Sequence, residues 1–313
     1  MKELFSGTNA YRIIENESRT GKLSHAYLIV YDDEVLLRDF LKEIALLIFP
    51  RNERSEKLIR GENFVDCRIY PPKDGKLSVD TVRDITDECY ISPTEGEKKV
   101  FIISGAEDLA PIAQNKLLKV LEEPPENVHF ILGATSDHSL LRTVLSRVKR
   151  LEVTPFSSEQ ALSYLKKRFP EKDGLEKIAA TCDGNVGRAI KMIEGGDFDE
   201  LYNKAMECIS AKTYDDITAF SRSINNVKEK EELLKLVTMF YRDLLMAKLS
   251  PEKVVFERER MIAISENYTL SSLVKALSLL EEAAKKLKFN AVFPVLIEGV
   301  MLKIAEENGL WKK

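Results

Sequence analysis

The stretch that decides the fold is residues 23–49, "LSHAYLIVYDDEVLLRDFLKEIALLIF". Its first half, Ala26 to Val30, reads as a buried strand. Its second half carries Leu37, Phe40, Leu41, Ile44 and Ile48 at steps of three and four, which predicts an amphipathic helix. A strand that runs straight into a helix near the start of an α/β domain is the setting of a glycine-rich phosphate loop. Such a loop needs glycines so that successive N–H groups can close on phosphate, a lysine for the outer phosphates and a Ser or Thr for magnesium. Here the turn is Tyr31-Asp32-Asp33-Glu34, and between Leu23 and Leu41 there is neither glycine nor lysine. A carboxylate at Asp32 or Asp33 suits the start of a helix, because it caps free N–H groups and sits at the positive end of the dipole. The same carboxylate repels phosphate. The site therefore reads as closed to nucleotide, although this stretch taken alone favours an ordinary βα turn that binds nothing.

Outward from that stretch, strand and helix signals alternate. "VDCRIYPP" predicts a short strand stopped by Pro71 and Pro72, followed by a turn at "KDG", residues 73–75. Ser78 caps a helix with Val79, Val82, Ile85 and Cys89 on one face. "KKVFIIS" (98–104) and "VHFILGAT" (128–135) are apolar enough for the middle of a parallel sheet, with a helix over 111–123 between them and a final strand over 150–156. After Pro155 the pattern changes. Ser157 and Gln160 form a capping-box pair, and no further strand is expected. Leu273, Leu277, Leu280, Ala284 and Leu287, then Phe293, Ile297, Val300 and Ile304, step as the stripes of a helical bundle. The expected class is α/β plus all-α: a parallel-sheet domain over 1–154, a small helical domain over 155–208 and a helical bundle over 209–313.

The 313 residues carry 47 Lys and Arg against 51 Asp and Glu, a net charge of −4, which excludes a polybasic nucleic-acid binder as a whole. The N-terminal stretch lacks the apolar core of a signal peptide, and no apolar run nears membrane-spanning length, so a soluble cytoplasmic protein is expected. Cys67, Cys89, Cys182 and Cys208 are too scattered for a zinc site and read as reduced, buried thiols. His25, His129 and His138 are scattered too, the first two suited to packing. No metal and no cofactor is expected.

The region 98–153 contains "AQNKLLKVLEEPP" (113–125), "VHFIL" (128–132) and "LLRTVLSRV" (140–148); "LSHAYL" (23–28) and "GNVGRAI" (184–190) flank it in order. On these motifs the chain resembles the clamp-loader family of AAA+ proteins, well over residues 20–195 and in outline beyond. The resemblance implies an AAA+ sheet domain, a helical lid and a C-terminal helical collar. Active members carry Asp-Glu at the end of the third strand, where this chain has Ser104-Gly105. Both halves of the ATPase machinery are thus missing, and no intrinsic ATPase activity is expected. A four-cysteine zinc module, carried by many such inactive members after the first helix, is replaced by "RNERSEKLIRGENF".

One active feature matches. Ser146-Arg147-Val148 corresponds to the family's Ser-Arg-Cys motif, whose arginine reaches the neighbouring subunit's ATP. The resemblance therefore implies that Arg147, supported by Ser146, acts in trans as an arginine finger, since a planar permanent cation stabilises charge on a transferred phosphoryl group. Read without the resemblance, Arg147 is a solvated or ion-paired residue beside Arg142, Lys149 and Arg150. Arg188 matches the family's nucleotide-sensing position, where a structural role is expected here. Glu122 and Glu123 read as the end of a helix, and Lys285, Lys286 and Lys288 as a solvated face. The implied partners are ATPase subunits of the gamma/tau type and the delta subunit of a DNA polymerase III holoenzyme, with the sliding clamp and primer-template DNA as indirect partners and no membrane. The alternative is a stand-alone helical scaffold or DNA-binding protein with a relic AAA+ domain.

Overall fold

Five parallel strands form the first unit's sheet: β1 (Ala26–Val30), β2 (Cys67–Tyr70), β3 (Lys99–Ser104), β4 (Val128–Ala134) and β5 (Lys149–Glu152), in the order β2-β3-β4-β1-β5. This is a computed structural model, and it describes residues 1–50, 52–72, 75–287, 289 and 291–309. The expected turn at Lys73 and Asp74, and Lys288 of the expected basic face, lie outside the described residues. The chain divides into two units, Met1–Pro170 with Asp183–Arg188, and Glu171–Cys182 with Ala189–Lys313.

In the first unit, β1 and β4 are buried along their whole length, as strands covered on both faces must be. The helices are α1 (Lys2–Phe5), α2 (Asn9–Thr20), α3 (Glu34–Ile48), α4 (Glu53–Arg60), α5 (Val79–Glu88), α6 (Pro111–Glu122), α7 (Arg142–Leu145) and α8 (Ser158–Arg168). Helix α3 lies directly on β4, since a Cβ at Gly133 would come within 2.4 Å of Leu41 Cδ1. On one side of the sheet Phe101 stacks on Phe130, ring centroids 5.6 Å apart, in a core with Leu117 and Leu121 of α6. Ser78 caps α5 and Ser157 caps α8, each in a full capping box. The final strand is shorter than the expected 150–156. Val153 N–H still donates to Val30 O at 2.9 Å, but Pro155 has no N–H to extend the ladder.

The second unit is helical: α9 (Leu175–Thr181), α10 (Val186–Gly195, its first turn within the first unit), α11 (Phe198–Ser210), α12 (Tyr214–Ser223), α13 (Lys230–Leu249), α14 (Arg258–Ser265), α15 (Leu270–Leu287) and α16 (Phe293–Glu307). No strand follows β5 among the described residues. Phe293, Ile297, Val300 and Ile304 are buried on α16, as their spacing predicts. On α15 the buried face is rotated from the expected one. Leu273, Ala276, Leu280 and Ala283 point inward, whereas Leu277 and Leu287 are half-buried and Ala284 is exposed. The reason is that α15 packs against both α13 and α16, and this packing, not the leucine spacing alone, sets the face that turns inward. No helix among the described residues is long and apolar enough to cross a membrane.

Candidate functional site

The turn after β1 is the first part of the site. Asp33 is the N-cap of α3, with its Oδ1 accepting from Leu36 N–H at 3.0 Å. Its Oδ2 accepts from Gly187 N–H at 2.7 Å and from the Tyr31 hydroxyl at 3.2 Å. The side chain of Asn185 closes the same gap by donating to Asp32 O, while its Oδ1 accepts from Arg188 N–H at 2.8 Å. Asp33 is only 1% exposed. Only glycine fits at position 187, because a Cβ there would lie 1.9 Å from Asp33 Oδ1. The Tyr31 ring packs on Phe5, Phe40 and Phe156 and completes the closure. Burial raises the Asp33 pKa above the ordinary carboxylate value, against the lowering effect of its hydrogen bonds to Gly187, Leu36 and Tyr31. The Leu36 amide at the head of α3 and the Gly187 amide in the first turn of α10 are thus both satisfied by one internal carboxylate.

The ends of β3 and β4 are the second part. Ser104 closes β3 and Gly105 turns the chain with φ of 80°. The nearest acid that engages a neighbouring strand end is Glu107, which sequence reasoning passed over. Its Oε1 accepts from both the N–H and the hydroxyl of Thr135, each at 2.7 Å, and Oε2 is buried without a hydrogen-bond partner. Its position three residues beyond Ser104 gave no motif to read.

Arg147 is the third part. Gln114 of α6, 1% exposed, donates to Leu109 O at 2.9 Å and Ser139 O at 3.1 Å and accepts from Leu141 N–H at 2.8 Å. It thereby ties α6 to the start of α7. Val148, which replaces the motif's cysteine, packs against the sheet's core cluster with Leu141 and Leu145. Arg147 follows α7 on the surface. Its Nη1 donates to Thr143 O at 2.8 Å and to Ser146 Oγ at 3.1 Å, and Ser146 in turn donates to Thr143 O at 3.0 Å. Its Nε donates to Glu122 Oε1 at 2.7 Å, and Nη2 contacts the same oxygen. The structure thus brings Arg147, Ser146 and Glu122 together, while Arg150 and Lys149 pair elsewhere, with Asp137 and Glu17.

The other candidates fall into structural roles. His25 Nε2 and His129 Nδ1 each meet a backbone carbonyl, of Leu121 and Ser24, at 3.0 and 2.9 Å. The four cysteines are buried, and burial pushes the Cys67 thiol up to about 12. Glu122 is the last residue of α6 and Glu123 its C-cap, ahead of Pro124 and Pro125.

The chain is similar to several known proteins. The family model described as DNA polymerase III, delta subunit, matches residues 7–157. The delta' subunit of Bacillus subtilis DNA polymerase III is 24% identical, over 94% of this chain and 95% of the relative. The tau subunit of the same organism is 26% identical over 95% of this chain, which spans 60% of that relative's length. The delta' subunit of Haemophilus influenzae is 33% identical, over 44% of this chain and 42% of the relative. In fold and motifs the chain is similar to AAA+ proteins of clamp-loader type. Within that class the chain resembles the delta-prime-type subunits of the DNA polymerase III clamp loader.

Proposed function

We propose that this chain is the non-hydrolysing, delta-prime subunit of a DNA polymerase III clamp loader. The reading that goes with it is a sheet domain over 1–154, a lid over 155–208 and an oligomerising collar over 209–313. The chain works beside gamma/tau-type ATPase subunits and the delta subunit, lends Arg147 to a neighbour's bound ATP with Ser146 supporting it, and so contributes to placing a sliding clamp on primed DNA. The observation that carries the reading is the Asp33 carboxylate held by Leu36 and Gly187 N–H groups, where a working subunit would hold phosphate. A subunit that cannot seat a triphosphate serves an ATPase ring through what it offers its neighbour. Arg147 suits that part because its side chain is still 30% exposed, and guanidinium is the group that stabilises a dissociative phosphoryl transfer.

Calorimetric titration of the isolated chain with ATP and magnesium tests the first half; no binding heat is expected, and micromolar affinity overturns it. Arg147→Ala in a complex reconstituted with its ATPase subunits tests the second half. Turnover at the site it serves should fall by roughly 10³-fold, while the complex still assembles. Unchanged DNA-stimulated turnover refutes the finger.

A further inference from the structure

The guanidinium of Arg147 is already occupied by its own chain. Nε and Nη2 both donate to Glu122 Oε1, and Nη1 donates to Thr143 O and Ser146 Oγ. Those contacts use all but one of its five N–H donors. A phosphate grips guanidinium best through two parallel bonds along one edge. The edge formed by Nε and Nη2 is held by Glu122, and the edge formed by Nη1 and Nη2 shares Nη1 with Thr143 and Ser146. Glu122 also sets a negative charge against the cation whose charge the neighbour's phosphate needs.

We infer that Glu122 is a latch that holds Arg147 docked on its own subunit and is exchanged for the neighbour's phosphate when the finger engages. The inference rests on the reading that Arg147 acts in trans. Its placement follows from the sequence. Pro124 and Pro125 end α6, which leaves the Glu122 carboxylate at the helix terminus, opposite the residue that follows α7. The pair is made to be broken: Arg147 is 30% exposed and Glu122 48%, so water screens the attraction and the contact is weak. A triphosphate carries more charge than one carboxylate and outcompetes it once the subunits close. The latch therefore acts on the resting complex, where it keeps the finger from stimulating turnover before the ring is properly seated.

The test is Glu122→Gln, which keeps the shape and removes the charge, in the reconstituted complex. ATP turnover without DNA should rise about two- to fivefold, the range a surface ion pair supports. The KM for ATP and the DNA-stimulated maximum should stay as in the wild type, and the gain should vanish in the Arg147→Ala background. A fall in turnover with or without DNA makes Glu122 a support for the finger and overturns the latch. No change, or a gain that persists without Arg147, overturns it as well. Arg147→Ala separates the two claims. If that variant alone changes nothing, the finger reading fails; if it lowers turnover while Glu122→Gln brings no gain, only the latch fails. Melting curves of both variants confirm that each is folded.

Discussion

Asp33 shows what one residue does here. Asp33→Ala removes the cap of α3 and leaves the buried N–H of Gly187 without its acceptor. The expected loss is about 1–3 kcal/mol of unfolding free energy, read from urea denaturation. Asp33→Asn keeps one acceptor oxygen and turns an NH₂ towards the other donor, so it should fall between Ala and wild type. The pH dependence has a definite sign. Because burial raises the folded-state pKa above the ordinary value of 3.8, the folded protein binds this proton more tightly than the unfolded chain does. The contribution of Asp33 is then greatest in acid and declines as pH rises through the window between 3.8 and the raised value. The gap between wild type and Asp33→Asn should accordingly be narrower at pH 7 than near pH 4. A gap that widens with pH contradicts the desolvation account. The cap itself was legible, since an aspartate before a helical stripe is a local signal. Its partners at Gly187 and Asn185 were not, because they lie some 150 residues away and no local rule joins them.

Among the elements, α6 carries the most information. Its sequence motif, its helical span and its proline stop were legible, because helix signals and Pro are local. The job of Gln114 was not, since a buried glutamine says only that partners exist. Gln114→Ala leaves Leu141 N–H and the carbonyls of Leu109 and Ser139 to find other partners. It should lower stability by about 1–3 kcal/mol. More specifically, it should speed hydrogen exchange at the Leu141 amide relative to the strand amides of β4, and unaltered exchange there rules the tie out. The rotated face of α15 has a related cause. Steps of three and four fit several neighbouring faces of one helix. Which of them turns inward is set by packing against α13 and α16, and alanines such as Ala276 and Ala283 give little hydrophobic signal although both are buried.

At the scale of the whole molecule, the change from alternating strands to helices after Pro155 marks where the sheet ends, whereas packing draws the border of the units at Pro170 and lends the turn at 183–188 back to the first. Each unit has its own core and its own buried aspartate. In the second unit Asp243 is fully buried on α13, accepting from Val255 and Phe256 N–H at 2.9 and 2.8 Å, and burial raises its pKa as well. Two cores of different make-up need not melt together, since all-or-none unfolding is a property of single domains. Scanning calorimetry of the full chain should give a calorimetric enthalpy larger than the van't Hoff value. Asp33→Ala should shift one component of the transition and Asp243→Ala the other, each by several degrees, which corresponds to about 1–3 kcal/mol in domains of this size. If either substitution moves the entire transition as one, the units are a single cooperative body. The closed cradle would then be coupled to the helical bundle, and a change felt at Asp33 would be felt equally at Asp243.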